Sequence, residues 1–113
     1  MKVLHLMSGD LDSGAGKGAY RLHLGLLQLG VDSKIAGFSK NELGDKVINL
    51  SSFKNKVKRG LNRLLNNFFR GDVNSSGLFS LGYDYFNVFS AIDFSDYDIV
   101  HLHWINYGIG LKD

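Results

Sequence analysis

The hydrophobic pattern of the chain changes period several times, and each change marks an element. Lys2 to Met7 is a short apolar run closed by Ser8, Gly9 and Asp10, the pattern of a strand buried on both faces. From Ala19 the spacing becomes helical: Ala19, Leu22, Leu26 and Leu29 share one face, and Gly30 supplies a left-handed cap. Ser33 to Phe38 reads as a second strand and Val47 to Leu50 as a short third, separated by a polar loop from Ser39 to Lys46. A helical stripe follows, made of Phe53, Val57, Leu61, Leu64, Leu65, Phe68 and Phe69. Asp72 to Tyr97 is rich in glycine, serine and aromatic residues. Helical turns are expected there from Phe86 to Ile92, and core packing accounts for Phe79, Tyr83, Tyr85, Phe86, Phe89 and Phe94. Tyr97 to Trp104 is the last strand, nearly all apolar except for two histidines.

A helix between the first two strands favours a parallel pair with a right-handed crossover. Placing the last strand beside the first gives a Rossmann-like α/β fold, a parallel sheet of order 3-2-1-4 flanked by helices. With 113 residues there is room for one domain, residues 1–113, burying roughly two thirds of its unfolded surface. A net charge of +2 gives no reason to expect a nucleic-acid partner, and no stretch interleaves basic and aromatic residues as a base-stacking surface does. Cysteine is absent, which excludes disulfides, thiolate nucleophiles and cysteine metal sites. The first apolar run is too short for a signal peptide core or a membrane span, so a cytoplasmic protein is expected.

Candidate chemistry concentrates in the stretch Ser8 to Gly18, read as a loop carrying Gly14, Gly16 and Gly18. Gly14-Ala15-Gly16-Lys17-Gly18-Ala19 satisfies the letters of the dinucleotide fingerprint with Ala last, yet seven residues separate Met7 from Gly14, more than a dinucleotide turn uses. The acid expected after the second strand is also missing, since Phe38 is followed by Ser39 and Lys40. A P-loop fails because Gly18 follows Lys17 where Ser or Thr is needed, and Leu11 stands at its first glycine. What remains is a loop whose N–H groups can cradle a phosphate at a helix start. The competing reading is that the glycines only permit a tight entry to the helix.

His101 and His103 project to one face of the last strand, and His103 sits nearer its carboxyl end, where ligands bind in open α/β sheets. His101 is expected to be a satisfied core residue. His5, on the neighbouring strand, raises a three-histidine zinc site as a formal option, but no sequence spacing argues for it and no metal is expected. Paired-carboxylate hydrolysis has little support, because Glu42 is the only glutamate. Between Asp45 and Asp72 there is no acid, while Lys54, Lys56, Lys58, Arg59, Arg63 and Arg70 decorate the helical stripe. This basic amphipathic helix either packs its apolar side on the sheet or lies against an anionic membrane through Lys54, Lys58, Arg59 and Arg63.

Two separated segments resemble glycosyltransferase family 4 enzymes of GT-B fold. Ser13-Gly14-Ala15-Gly16-Lys17-Gly18-Ala19-Tyr20-Arg21-Leu22-His23, with Gly25-Leu26-Leu27 and Leu29-Gly30-Val31-Asp32-Ser33, is similar to the family's opening loop, helix and turn. Asp98-Ile99-Val100-His101-Leu102-His103-Trp104-Ile105-Asn106 is similar to its Asp-Ile-(Ile/Val)-His-Leu-His-Trp segment. Ser13 stands where the family usually has the first of two glycines, and residues from about Gly37 to Leu78 carry little of the likeness. The resemblance implies retaining transfer of a sugar from a nucleotide-diphosphate donor to a sugar or lipid-linked acceptor, without cofactor or metal. It places the donor diphosphate at Gly14, Ala15 and Gly16, assigns His103 to the catalytic cleft, and makes Trp104 and Asn106 cleft-lining. It also implies a separate nucleotide-holding domain with a glutamate pair. This chain, with its single glutamate, is then the acceptor-side domain, inactive alone and placed in the cytoplasm or at the inner face of the membrane. The alternative is a non-enzymatic α/β module that binds a phosphorylated or anionic partner.

Overall fold

The structure, a computed structural model, describes residues 1–40, 44–69 and 86–105. Strand β1 (Lys2–Asp10) is followed by helix α1 (Gly14–Gln28), strand β2 (Asp32–Phe38), strand β3 (Val47–Asn49) and helix α2 (Phe53–Phe69). A single 3-10 turn (Phe94–Asp96) then precedes strand β4 (Ile99–Leu102). The four strands form one sheet of order β3-β2-β1-β4, and every pairing is parallel. This is the α/β Rossmann-like arrangement that the periodicity predicts. His5 lies opposite Ile35 on β2 and His101 on β4, so β1 is paired along both edges.

Side-chain alternation along β1 divides the core in two. Met7 packs with Leu11, Ala19 and Ile35 on the α1 side. Leu4 and Leu6 face the other way, with Ala36, Phe38, Leu50, Val88 and Phe89. Each fully buried Leu or Phe contributes about 1.5–3 kcal/mol, so these positions hold the sheet.

Strand β1 runs three residues beyond Met7, and α1 starts at Gly14 with Ser13 as its N-cap, the Ser13 hydroxyl accepting from the Gly16 N–H at 3.1 Å. Gly14, Gly16 and Gly18 are therefore helical rather than in a loop. A Cβ on Gly16 would sit 2.5 Å from the Leu11 carbonyl oxygen and closer still to that of Asp10, whereas Gly14 and Gly18 face open space. Gly16 lets the helix rest on the backbone that leaves β1. At the other end Gly30 has φ +78°, and the N–H groups of Gly30 and Val31 return to the carbonyls of Leu27 and Leu26, a Schellman cap.

Several expectations need correction. The inward face of α1 is Gly16, Ala19 and His23, while Leu22 and Leu29 are exposed. His23 is kept inside by a 2.8 Å hydrogen bond with the Ser33 hydroxyl on β2, which apolar spacing does not register. Strand β4 is shorter than expected and exposed throughout, so His101 is not a core residue. The expected roles of Phe79, Tyr83, Tyr85 and Arg70 lie outside the described residues.

Helix α2 departs furthest from expectation. Phe53, Val57, Leu61, Leu64 and Phe68 lie within an arc of about 80° on the helical wheel, and they are exposed, from 39% at Leu61 to 81% at Phe53. The buried residues are Asn62 and Asn66, roughly opposite the stripe. The Asn62 amide donates to the Phe86 carbonyl at 2.7 Å and accepts the Phe86 N–H at 3.0 Å, and Lys58 donates to the Asn87 carbonyl and the Ser90 hydroxyl. Specific hydrogen bonds thus outweigh the helix's amphipathic preference.

The glycines give a test of this packing. Gly16→Ala should lower unfolding stability by about 2 kcal/mol or more through the backbone clash, while Gly14→Ala should change it by less than about 1 kcal/mol. Urea denaturation of the two variants checks the order, and equal stabilities would refute the close approach.

Candidate functional site

In a parallel sheet all carboxyl ends emerge at one edge, and a cleft opens at that edge. It is a cleft of about 1010 Å³ lined by Asp10 after β1, Phe38, Ser39 and Lys40 after β2, Asn49 and Ser51 after β3, and Trp104 after β4. Its remaining wall is α2, through Lys56, Arg59, Gly60 and Arg63. A smaller hollow of about 260 Å³ shares Asp10, Phe38, Ser39 and Lys40 and reaches Asp12 and Ser13 at the start of α1.

The charge of this cleft is one-sided. Lys40, Lys56, Arg59 and Arg63 face one acid, Asp10, and a concave surface lined by one sign focuses the field on an incoming counter-ion. Arg59 is held in place: its guanidinium reaches the Asp10 carboxylate at 3.4 Å and lies 4.8 Å from the centre of the Phe38 ring. The rim is fixed by hydrogen bonds from polar side chains to the Ser39 backbone. The Ser51 hydroxyl donates to the Ser39 carbonyl at 2.7 Å, and the Asn49 side chain both donates to that carbonyl and accepts the Ser39 N–H.

The expected site residues divide between this cleft and elsewhere. Trp104 lines it, its carbonyl accepting from the Ser8 N–H at 2.8 Å so that the β1–β4 pairing continues to the rim. Gly14 and Ala15 stand at the first turn of α1, and no partner for their N–H groups occurs among the described residues. The Gly16 N–H is taken by Ser13, which removes Gly16 as a phosphate donor. Asn106 lies outside the described residues. His103 is half-buried on the α1 side of the sheet and, among the described residues, is not part of the cleft lining.

His103 instead joins His5 and His101. His103 Nε2 lies 3.0 Å from His5 Nδ1, and the His101 and His103 rings stack with centroids 4.1 Å apart. His5 is fully buried, and its Nε2 has no hydrogen-bond partner among the described residues. Desolvation, followed by the neighbouring His103, His101 and His23, pushes the His5 pKa down from 6.5 to about 4. Burial lowers His23 as well, with Lys46 adding to the effect, and burial followed by His101 lowers His103.

Lys40, Lys56, Arg59 and Arg63 as cleft residues, and His5 as a buried histidine, were not singled out by spacing. The signal for His5 was available, since a histidine in the middle of a fully buried strand opposite a His-x-His strand has to face its neighbours. No family model, curated protein or solved structure matches the chain.

The buried histidines set a pH dependence. Their folded pKa values lie below the unfolded value, so between about pH 4 and 6.5 the unfolded chain binds more protons and folding stability rises with pH. Urea melts at pH 7.5 and pH 4.5 should differ, His5 supplying on the order of 2–3 kcal/mol, and equal stabilities at the two pH values would contradict the burial of a neutral His5.

Proposed function

We propose that the chain is the acceptor-side domain of a retaining family 4 glycosyltransferase, working with a nucleotide-holding domain that faces the cleft. The observation that carries this reading is the basic cleft at the carboxyl edge, with Lys40, Lys56, Arg59 and Arg63 on two of its sides. Diphosphate of a nucleotide-sugar is the ligand class such a charge pattern favours. The two segments that resemble the family both reach this edge: one opens α1 with Ser13 beside the smaller hollow, and the other contains β4 and, two residues beyond it, Trp104 on the rim of the cleft.

In this reading the cations hold the diphosphate and stabilise the charge that grows on it as the sugar departs, in a site whose donors are fixed before reaction. The N–H groups of Gly14 and Ala15, at the positive end of α1, add two donors near the same edge. Trp104 offers an indole face to a sugar ring. His103, turned toward His5 on the opposite face, contributes no group to this cleft. The alternative, a non-enzymatic module for a phosphorylated partner, uses the same cations and differs only in lacking transfer.

The exposed stripe of α2 favours an acceptor at a membrane. Phe53, Val57, Leu61, Leu64 and Phe68 are exposed with Lys54 beside them, and the helix has no acid, which is the composition of an interfacial helix on anionic lipid. Of the other residues expected at such a contact, Lys58 and Arg59 are bound inward to Asn87, Ser90 and Asp10, and Arg63 lines the cleft. Among the described residues, no helix is long and apolar enough to cross a membrane.

Two measurements test these readings. Calorimetry with uridine diphosphate, guanosine diphosphate and pyrophosphate should show binding that weakens at least tenfold in Lys56→Gln/Arg63→Gln with the melting temperature unchanged. Absence of binding by all three ligands would overturn the cleft assignment, and binding without sugar transfer in the presence of the nucleotide-holding domain would favour the module. In the second measurement, the chain should sediment with anionic vesicles and be released by salt, and Phe53→Ser/Phe68→Ser should abolish sedimentation. Equal recovery on neutral vesicles would show that charge plays no part.

A further inference from the structure

The three histidines on the α1 side of the sheet suit a role distinct from the cleft. His5 is on β1, His101 is directly opposite it on β4, and His103 follows two residues on. Period-two alternation therefore puts all three imidazoles on one face, a His-x-His strand beside a third histidine. One nitrogen from each ring can be chosen so that all lie within 4.8 Å of one another.

We propose that His5, His101 and His103 form a binding site for a divalent late first-row metal ion, with zinc the best fit. Imidazole nitrogens are ligands for such ions, and three protein ligands leave a fourth tetrahedral position open. Two nitrogens on a tetrahedral zinc stand about 3.3 Å apart at ordinary Zn–N lengths. The 3.0 Å between His5 Nδ1 and His103 Nε2 is already close to that spacing. His101 is exposed and on an edge strand among the described residues, so its ring is free to complete the set at small cost.

Burial supplies the second argument. His5 is fully buried, so the ring that presents Nδ1 to His103 Nε2 is held in place by its packing before an ion arrives, and Nε2, on the other side of the ring, takes no part in the site. The neighbouring wall is fixed too, since His23 is bonded to Ser33 and its ring stands 6.2 Å from that of His5. Because His101 is exposed, a bound ion would be able to keep a water or take an oxygen ligand from solution in the fourth position.

Titration of the untagged chain with zinc chloride and with cobalt(II) chloride tests the site. The expected result is one ion per chain, a rise in melting temperature with zinc, and the intense visible absorption of four-coordinate cobalt. His101→Ala, at an exposed position, should fold normally and bind zinc at least tenfold more weakly, and His103→Gln should do the same. The proposal is overturned if the chain does not bind zinc, if cobalt shows only the faint spectrum of a six-coordinate ion, or if His101→Ala binds as tightly as the parent.

Discussion

Everything in this fold is referred to β1, which has strands on both edges and buried residues at every position from Val3 to Gly9. A strand enclosed in this way has no freedom in register, because a slip of one residue would exchange its two sets of side chains. Leu4 and Leu6 go to one core, Met7 and His5 to the other side. The backbone leaving β1 is also the surface on which α1 rests, and only a glycine at position 16 permits that contact.

The same alternation separates two chemistries carried by one short segment of β4. His101 and His103 turn toward α1, whereas Trp104 reaches the rim of the basic cleft. A sequence motif that reads as one unit is therefore divided by the sheet into two environments. One is an open, positively charged edge suited to an anion, and the other is a cluster of imidazoles around a buried member. Their separation means that substitutions at neighbouring positions in the chain report on different sites.

Legibility from sequence followed the strength of the local pattern. The parallel sheet and its order were readable because continuous apolar runs alternate with a helical period, and the Gly30 cap was readable because a left-handed residue needs little context. Helix α2 was placed within its bounds, but its orientation was not. Spacing assigns the apolar side to the interior, and here Asn62 finds both backbone groups of Phe86, a long-range pairing invisible to periodicity. The same limit applies to α1, where His23 displaces Leu22 from the core by bonding Ser33. The cleft was legible only in part. Its location follows from the parallel topology, yet its cations come from the loop after β2 and from α2, whose inward face was misread.

Holding α2 by polar contacts has a thermodynamic consequence. When a helix is attached through apolar burial, detaching it exposes surface that water hydrates unfavourably, with a large change in heat capacity. Asn62 and Lys58 make bonds to Phe86, Asn87 and Ser90 that water can replace, and the apolar stripe is already in solvent. Detaching α2 from residues 86–90 is therefore expected to be a local opening with a small heat-capacity signature. One wall of the cleft is thus expected to open more readily than the strands it faces, so that amide hydrogens of α2 exchange by a route that those of β1 do not share.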